Sequence, residues 1–194
     1  MRKILILFAH PMVHKSRVNR QLIEAVEGLD HVTVNNLYER YPDFFIDVKY
    51  EQELLLEHDI IIWHHPFYWY SAPAMIKEWF DLVLEHGFAY GREGNALAGK
   101  HAMTCITTGG RESTYQGNGL NRFPLHQFLL PFNQSAHLCK MEYLPPFVVH
   151  GVHLLGEKEI SDTVLQYRKV LQYLGDQDIN LLMASKNEYV NQLV

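Results

Sequence analysis

The chain has 194 residues, a net charge of −5, and 47% hydrophobic against 20% charged residues. That length suits one domain, 1–194, with a core of its own, and the mixture excludes wholesale disorder. The mild acidity gives no electrostatic case for nucleic acid, and two cysteines without a CxxC spacing fit a reducing cytoplasm rather than a disulfide scaffold.

Apolar runs alternate with helical patterns along the chain. Ile4-Leu5-Ile6-Leu7-Phe8-Ala9 is continuous, as in a strand covered on both faces. It is too short to span a bilayer and lacks a signal-peptide layout, so no membrane insertion is expected. Pro11 to Ser16 is turn-like, and Val18, Leu22, Ile23 and Val26 then recur at helical spacing towards Gly28. Val32, Val34 and Leu37 alternate with polar residues, as in an edge strand. Tyr41-Pro42-Asp43 is a turn. Asp47 caps a short helix carrying Leu54 and Leu55, with Glu51, Glu53 and Glu57 on a solvated acidic face. Ile60 to Trp63 is the third run, stopped by Pro66. Ser71 caps the next helix, with Pro73 in its first turn and an apolar face from Met75 to Leu84. Ala102 to Thr107 is a fourth strand, residues 121–136 are helical, Phe147 to Val149 is a fifth strand, and Val164 to Leu174 mark a last helix. Long glycine-bearing loops, 85–100 and 108–122, follow the third and fourth strand–helix positions.

Five strand–helix repeats predict an α/β fold: a parallel sheet with helices on both faces, right-handed crossovers and strand order 2-1-3-4-5. Ligands of such sheets bind beyond the carboxyl ends of the strands, at the switch point. This selects His10 to Asn19, Pro66 to Ser71, and Thr107 to Tyr115. The first segment has neither GxGxxG nor GxxxxGK[ST]. It does place Ser16 at a helix N-terminus, where free N–H groups and the helix dipole favour a phosphate, with His10, Lys15 and Arg17 beside it. A plain N-cap with solvated cations uses the same residues. In the second, five of the eight residues 63–70 (Trp-His-His-Pro-Phe-Tyr-Trp-Tyr) are aromatic, in a chain that is 12% aromatic. Such a loop builds a flat apolar wall for a planar ring such as an isoalloxazine, or else a core or dimer contact. The third, Thr107-Thr108-Gly109-Gly110, lets backbone approach a ligand closely, or simply turns the chain.

These segments fall in order with Ala9-His10-Pro11, Ser16-x-x-Asn19, Leu37-Tyr38 leading into Tyr41-Pro42-Asp43-Phe44, and His65-Pro66-x-x-Trp69-Tyr70-Ser71. Leu97-x-Gly99-Lys100 and Tyr143-Leu144-Pro145-Pro146 complete the set. Over nearly its whole length the chain resembles the flavodoxin-like NAD(P)H:quinone oxidoreductases. Within them it is similar to the bacterial branch that includes the ancillary flavoproteins of glutathione-regulated potassium-efflux systems. The resemblance implies a three-layer α/β/α sandwich with a five-stranded parallel sheet. It implies FMN as cofactor, FAD sharing the same contacts, and NAD(P)H as electron donor. In that family the residues matching His10, Ser16, Arg17, Val18 and Asn19 hold the flavin phosphate. Those matching Phe67, Tyr68, Trp69 and Tyr70 lie along the ring, and those matching Thr107, Thr108, Gly109 and Gly110 bond its pyrimidine edge. Gly109, Gly110 and Tyr115 are then the candidates for stabilising negative charge at that edge.

The implied reaction is two-electron, hydride-type reduction of quinones with ping-pong kinetics, in a cytoplasmic homodimer whose flavin sites lie at the interface. A related pattern places a Tyr five residues after the second Gly and a His six further on; here these positions are Tyr115 and Asn121, which leaves a Tyr–His relay open. Arg111 either meets a nicotinamide-nucleotide phosphate or is a solvated loop cation. The alternative reading is a regulatory flavoprotein subunit of a glutathione-gated potassium-efflux antiporter, peripheral at the inner face of the membrane, with reductase activity secondary. No metal site is expected, because HExxH and paired ligand spacings are missing, and GxSxG is absent as well. A one-electron carrier fits less well with so moderate an acidity and so long a 108–122 loop.

Overall fold

The computed structural model describes residues 1–176, 179, 182 and 187–193. Six strands form one parallel sheet: β1 (Ile4–Phe8), β2 (Val32–Asn36), β3 (Ile60–Pro66), β4 (His101–Thr107), β5 (Glu142–Tyr143) and β6 (Phe147–Val149). Their order is β2-β1-β3-β4-β5, with β6 also on β4. The expected order 2-1-3-4-5 therefore holds, but the fifth position is split. β5 pairs with His101 and Ala102, and β6 with Cys105 to Thr107. Pro145 and Pro146 lie between them, and a residue without an N–H cannot continue the ladder.

The two-residue period of the strands sorts the core into two layers. Ile4, Ile6, Phe8, Ile60 and Ile62 face α1 (Arg17–Glu24) and α7 (Glu157–Asp176). Leu5, Leu7, Ile61 and Trp63 face α3 (Val48–Glu57), α4 (Ala74–Val83), α5 (Leu125–Phe128) and α6 (Leu130–Leu138). Both faces are covered, which is why the strands read as unbroken apolar runs. Among the described residues no helix is long and apolar enough to cross a membrane.

Several local expectations meet corrections. Asp47 does cap α3, accepting from Tyr50 N–H at 3.1 Å. Leu37, however, opens the short helix α2 (Leu37–Arg40) instead of extending β2. Ser71 does not cap α4: Pro73 holds that position, and Ser71 N–H instead closes a turn onto the Tyr68 carbonyl at 3.0 Å. The helix expected over 121–136 starts only at Leu125 and breaks at Leu129, since Pro131 has no N–H to bond back across the break. Glu51 is not solvated but fully buried. Its carboxylate accepts from Asn35 Nδ2 (2.7 and 2.9 Å), Tyr41 Oη (2.7 Å) and Trp79 Nε1 (2.7 Å), tying α3 to β2 and α4. The spacing to buried Leu55, four residues on, put it on the inward stripe.

Candidate active site

At the carboxyl end of β1 the chain enters a 3-10 turn (Val13–Lys15) and then α1. Ser16 is the N-cap of α1, accepting from Asn19 N–H at 3.1 Å and from Asn19 Nδ2 at 3.0 Å. With both lone pairs used, the Ser16 hydroxyl hydrogen is left to donate outward. Asn19 is buried and holds the corner together. Its Nδ2 also donates to Thr107 Oγ1 at 2.9 Å, and its Oδ1 accepts from His64 Nε2–H at 3.2 Å. His64 is wholly buried, and burial pushes its pKa down to about 3, with His65 and His10 adding to the effect. It is therefore neutral, and its Nδ1 takes the Tyr167 hydroxyl at 3.4 Å. His10 is likewise kept neutral, chiefly by burial. Its Nδ1 accepts from Met12 N–H at 3.1 Å, so its proton sits on Nε2 as a donor. His10, Ser16, Asn19 and Thr107 line a cavity of about 310 Å³, reached also by Lys15, Tyr68, Gly109 and His153. That size lies at the lower end for small-molecule sites, roughly 300–1,000 Å³.

A second depression of about 330 Å³ adjoins it, sharing Phe67 and Gly109, and is lined further by Trp69, Tyr70, Gly110, Tyr115 and Asn121. Here the backbone is strained. Trp69 and Tyr70 have φ of 50° and 60° between Tyr68 and Ser71, which form an isolated antiparallel bridge. Positive φ at both central residues is normally the province of Gly or Asn. The turn throws Trp69 into solvent, 93% exposed, while Phe67 is buried against Tyr115 and Phe128. The loop aromatics thus do not form one flat wall as expected. Phe67 is a core residue under the pocket, and Tyr70 stacks on Phe128 with ring centroids 5.3 Å apart. Gly110 has no room for a side chain: a Cβ would lie 2.7 Å from Thr114 Oγ1 and 3.1 Å from the Tyr115 ring. The N–H groups of Gly109 and Arg111 have no partner among the described residues, whereas that of Gly110 lies against the Tyr115 hydroxyl. Burial raises the pKa of Tyr115, which keeps its hydroxyl protonated.

The three segments chosen from sequence do meet at one place. Within them the side chains divide. His10, Ser16, Asn19 and Thr107 present polar atoms. Val18 packs into the core, so only its backbone is available there. Arg17 points its guanidinium at Glu157, 2.7 Å away at the start of α7. Thr108 turns from the cavity, donating to Gly110 O at 2.8 Å. Asn121 closes its own loop, donating to Thr114 Oγ1 at 3.2 Å and accepting from Tyr70 Oη at 3.4 Å. Sequence reasoning missed His64 as the support of Asn19, and His150, whose Nδ1 is 3.1 Å from Thr108 Oγ1. His150 follows β6 directly, so the strand-end rule applied to the last strand would have found it.

A doubly wound parallel sheet with donors for an anion at its switch point and a ring-sized depression beside them defines a flavodoxin-like α/β protein. Residues 2–174 match the family model Flavodoxin_2, described as a flavodoxin-like fold, and the chain belongs to that family. It is 49% identical over 170 residues to the glutathione-regulated potassium-efflux system ancillary protein KefG of Yersinia pestis (strain Pestoides F), covering 88% of this chain and 93% of that one. Among solved structures it is similar to the general stress protein 14 of Treponema denticola in complex with FMN, with 35% identity, TM-score 0.82, and 89% and 97% of the two chains covered. An NADPH-quinone reductase from P. pentosaceus is 33% identical with a TM-score of 0.79, over 86% and 96% of the chains.

Proposed function

We propose that the chain is an FMN-dependent NAD(P)H:quinone oxidoreductase, working as one flavin-binding domain over residues 1–194. The observation that carries this reading is the continuity of the two depressions, one lined by donors and the other by rings and free backbone N–H groups. The residues fit the cofactor. The first cavity offers His10 Nε2–H, the Ser16 hydroxyl, Lys15 and the first-turn N–H groups of α1, and no carboxylate lines it, which suits a phosphate. The solved relative in complex with FMN supports the same assignment.

When bound, FMN supplies the two-electron hydride chemistry that no side chain of the pocket possesses. The balance is NAD(P)H, one proton and a quinone giving NAD(P)⁺ and a hydroquinone. The protein binds and orients. Ser16, Asn19 and His10 fix the phosphate end. Phe67 underlies the ring, Trp69 and Tyr70 border it, and Tyr68 stands at the first cavity. Thr107, Thr108, Gly109 and Gly110 set the polar edge, where N–H groups and the protonated Tyr115 hydroxyl stabilise added negative charge. Exposed Trp69, Tyr70 and Leu120 border the ring depression, and such a patch supports a homodimer with its sites at the interface. One site serving donor and acceptor in turn gives parallel double-reciprocal lines at varied quinone; intersecting lines overturn the shared site.

The KefG relative supports a second role, as the ancillary subunit of a glutathione-gated potassium-efflux antiporter, docked from the cytoplasmic side of the membrane. Adding the protein to vesicles that contain such an antiporter then raises glutathione-gated potassium efflux. Equal efflux with and without it removes this role.

A further inference from the structure

The segment after β6 closes on the Thr108–Gly110 turn. Thr108 N–H donates to Val149 O at 2.9 Å, Val152 N–H to Thr108 O at 3.1 Å, and Gly151 N–H to Gly110 O at 2.9 Å. Side chains add a further link, because Thr108 Oγ1 lies 3.1 Å from His150 Nδ1 and 2.8 Å from Gly110 O. The order of protons follows from burial. His150 Nε2 is buried and has no partner among the described residues. An orphaned buried N–H is rarer and costlier than an orphaned lone pair, so the ring proton sits on Nδ1. His150 then donates to Thr108 Oγ1, and the threonine hydrogen goes to the Gly110 carbonyl. That carbonyl has both acceptor sites filled. Because the peptide group is planar and trans, its direction turns the Arg111 N–H to the opposite side, as the held Thr108 carbonyl does for Gly109 N–H.

We propose that His150 is a positioning residue of this pocket: through Thr108 it fixes the Gly110 carbonyl and so aims the free N–H groups of Gly109 and Arg111 at the polar edge of a bound ring. The proposal rests on the flavin reading above. Burial lowers the pKa of His150, so the ring works as a neutral donor. It is held between Tyr115 and Tyr189, at centroid distances of 5.7 and 5.9 Å. Tyr189 lies beyond the family match of residues 2–174, so the C-terminal segment takes part in shaping the pocket.

His150→Asn keeps a donor near Nδ1, whereas His150→Phe keeps an aromatic ring and has no donor. FMN affinity and the two-electron midpoint potential of the bound FMN are compared with wild type. His150→Phe is expected to bind FMN about fivefold more weakly, the loss of one hydrogen bond. It also loses about tenfold more affinity for the reduced than for the oxidised form, which lowers the potential by about 30 mV. His150→Asn stays near wild type in both. Equal shifts in the two variants, or none in either, overturn the positioning role. If neither variant folds, the wild-type imidazole tautomer decides: a proton on Nδ1 by nitrogen NMR supports the chain, and one on Nε2 overturns it. Wild-type protein that retains no FMN overturns the flavin reading itself, a result distinct from FMN-loaded protein whose variants are silent.

Discussion

The two ends of the pocket are built differently. At the end proposed for the phosphate, Ser16 and Asn19 lie three residues apart on one helical turn, and every polar side-chain atom of Asn19 has a partner. At the end proposed for the ring, Trp69 and Tyr70 hold positive φ, Trp69 stands in solvent, and the N–H groups of Gly109 and Arg111 are unpaired among the described residues. At the first end the framework around Asn19 is tied before any ligand arrives, leaving the Ser16 hydroxyl and His10 Nε2–H to face the cavity; the second stores strain in its backbone. Rigid grip at one end and a poised edge at the other is what a protein needs to hold a cofactor while two substrates exchange over it.

The largest test breaks the rigid end. Asn19→Ala strands Ser16, Thr107 and the buried His64 donor, so FMN affinity is expected to fall about 100-fold, from loss of two or more hydrogen bonds and the cap geometry. Fluorescence titration of FMN measures it, and a loss of only a few-fold would mean that the corner does not depend on Asn19.

A second test uses acid. Burial holds His64 and His65 neutral down to about pH 3 and 4, while the unfolded chain protonates them near 6.5. Below pH 6.5 the unfolded state binds protons that the fold refuses, so stability falls as pH falls. Each histidine contributes up to about 1.4 kcal/mol per pH unit until its folded pKa is reached. Urea unfolding between pH 6.5 and 5 should show a shallower slope in His64→Gln, by up to one proton; an unchanged slope contradicts the burial.

At the strained end the sign reverses. Trp69→Gly removes a left-handed strain and almost no buried surface, so the isolated chain gains about 1 kcal/mol in urea unfolding while the proposed dimer weakens. A loss of stability would show that the turn is not strained. The smallest effect belongs to Arg17→Ala. Its guanidinium pairs with Glu157 at the exposed surface, so FMN affinity changes by less than about threefold; a tenfold loss would mean that the side chain leaves Glu157 for the phosphate.

The contrast also explains what could be read from sequence. Continuous runs such as Ile4 to Phe8 reveal a sheet covered on both faces, because burial on both sides leaves no polar alternation. Ser16 was legible as a cap because capping is decided within one turn. Long-range pairing is not local: that Pro145-Pro146 divides the fifth strand depends on where β4 offers partners. Glu51 looked solvated because its donors, Asn35, Tyr41 and Trp79, come from three other parts of the chain. The ring end was legible only as an excess of aromatics. Which ring stands out is set by the Tyr68–Ser71 turn, and its support from His150 arrives from β6, some 40 residues away in sequence (|i−j| of 42 between Thr108 and His150).

The most direct measurement is an anaerobic spectral titration of the purified protein loaded with FMN. NADPH should bleach the visible bands, and a stoichiometric quinone should restore them in full. Bands that persist in excess NADPH, or protein that retains no FMN, would contradict the oxidoreductase.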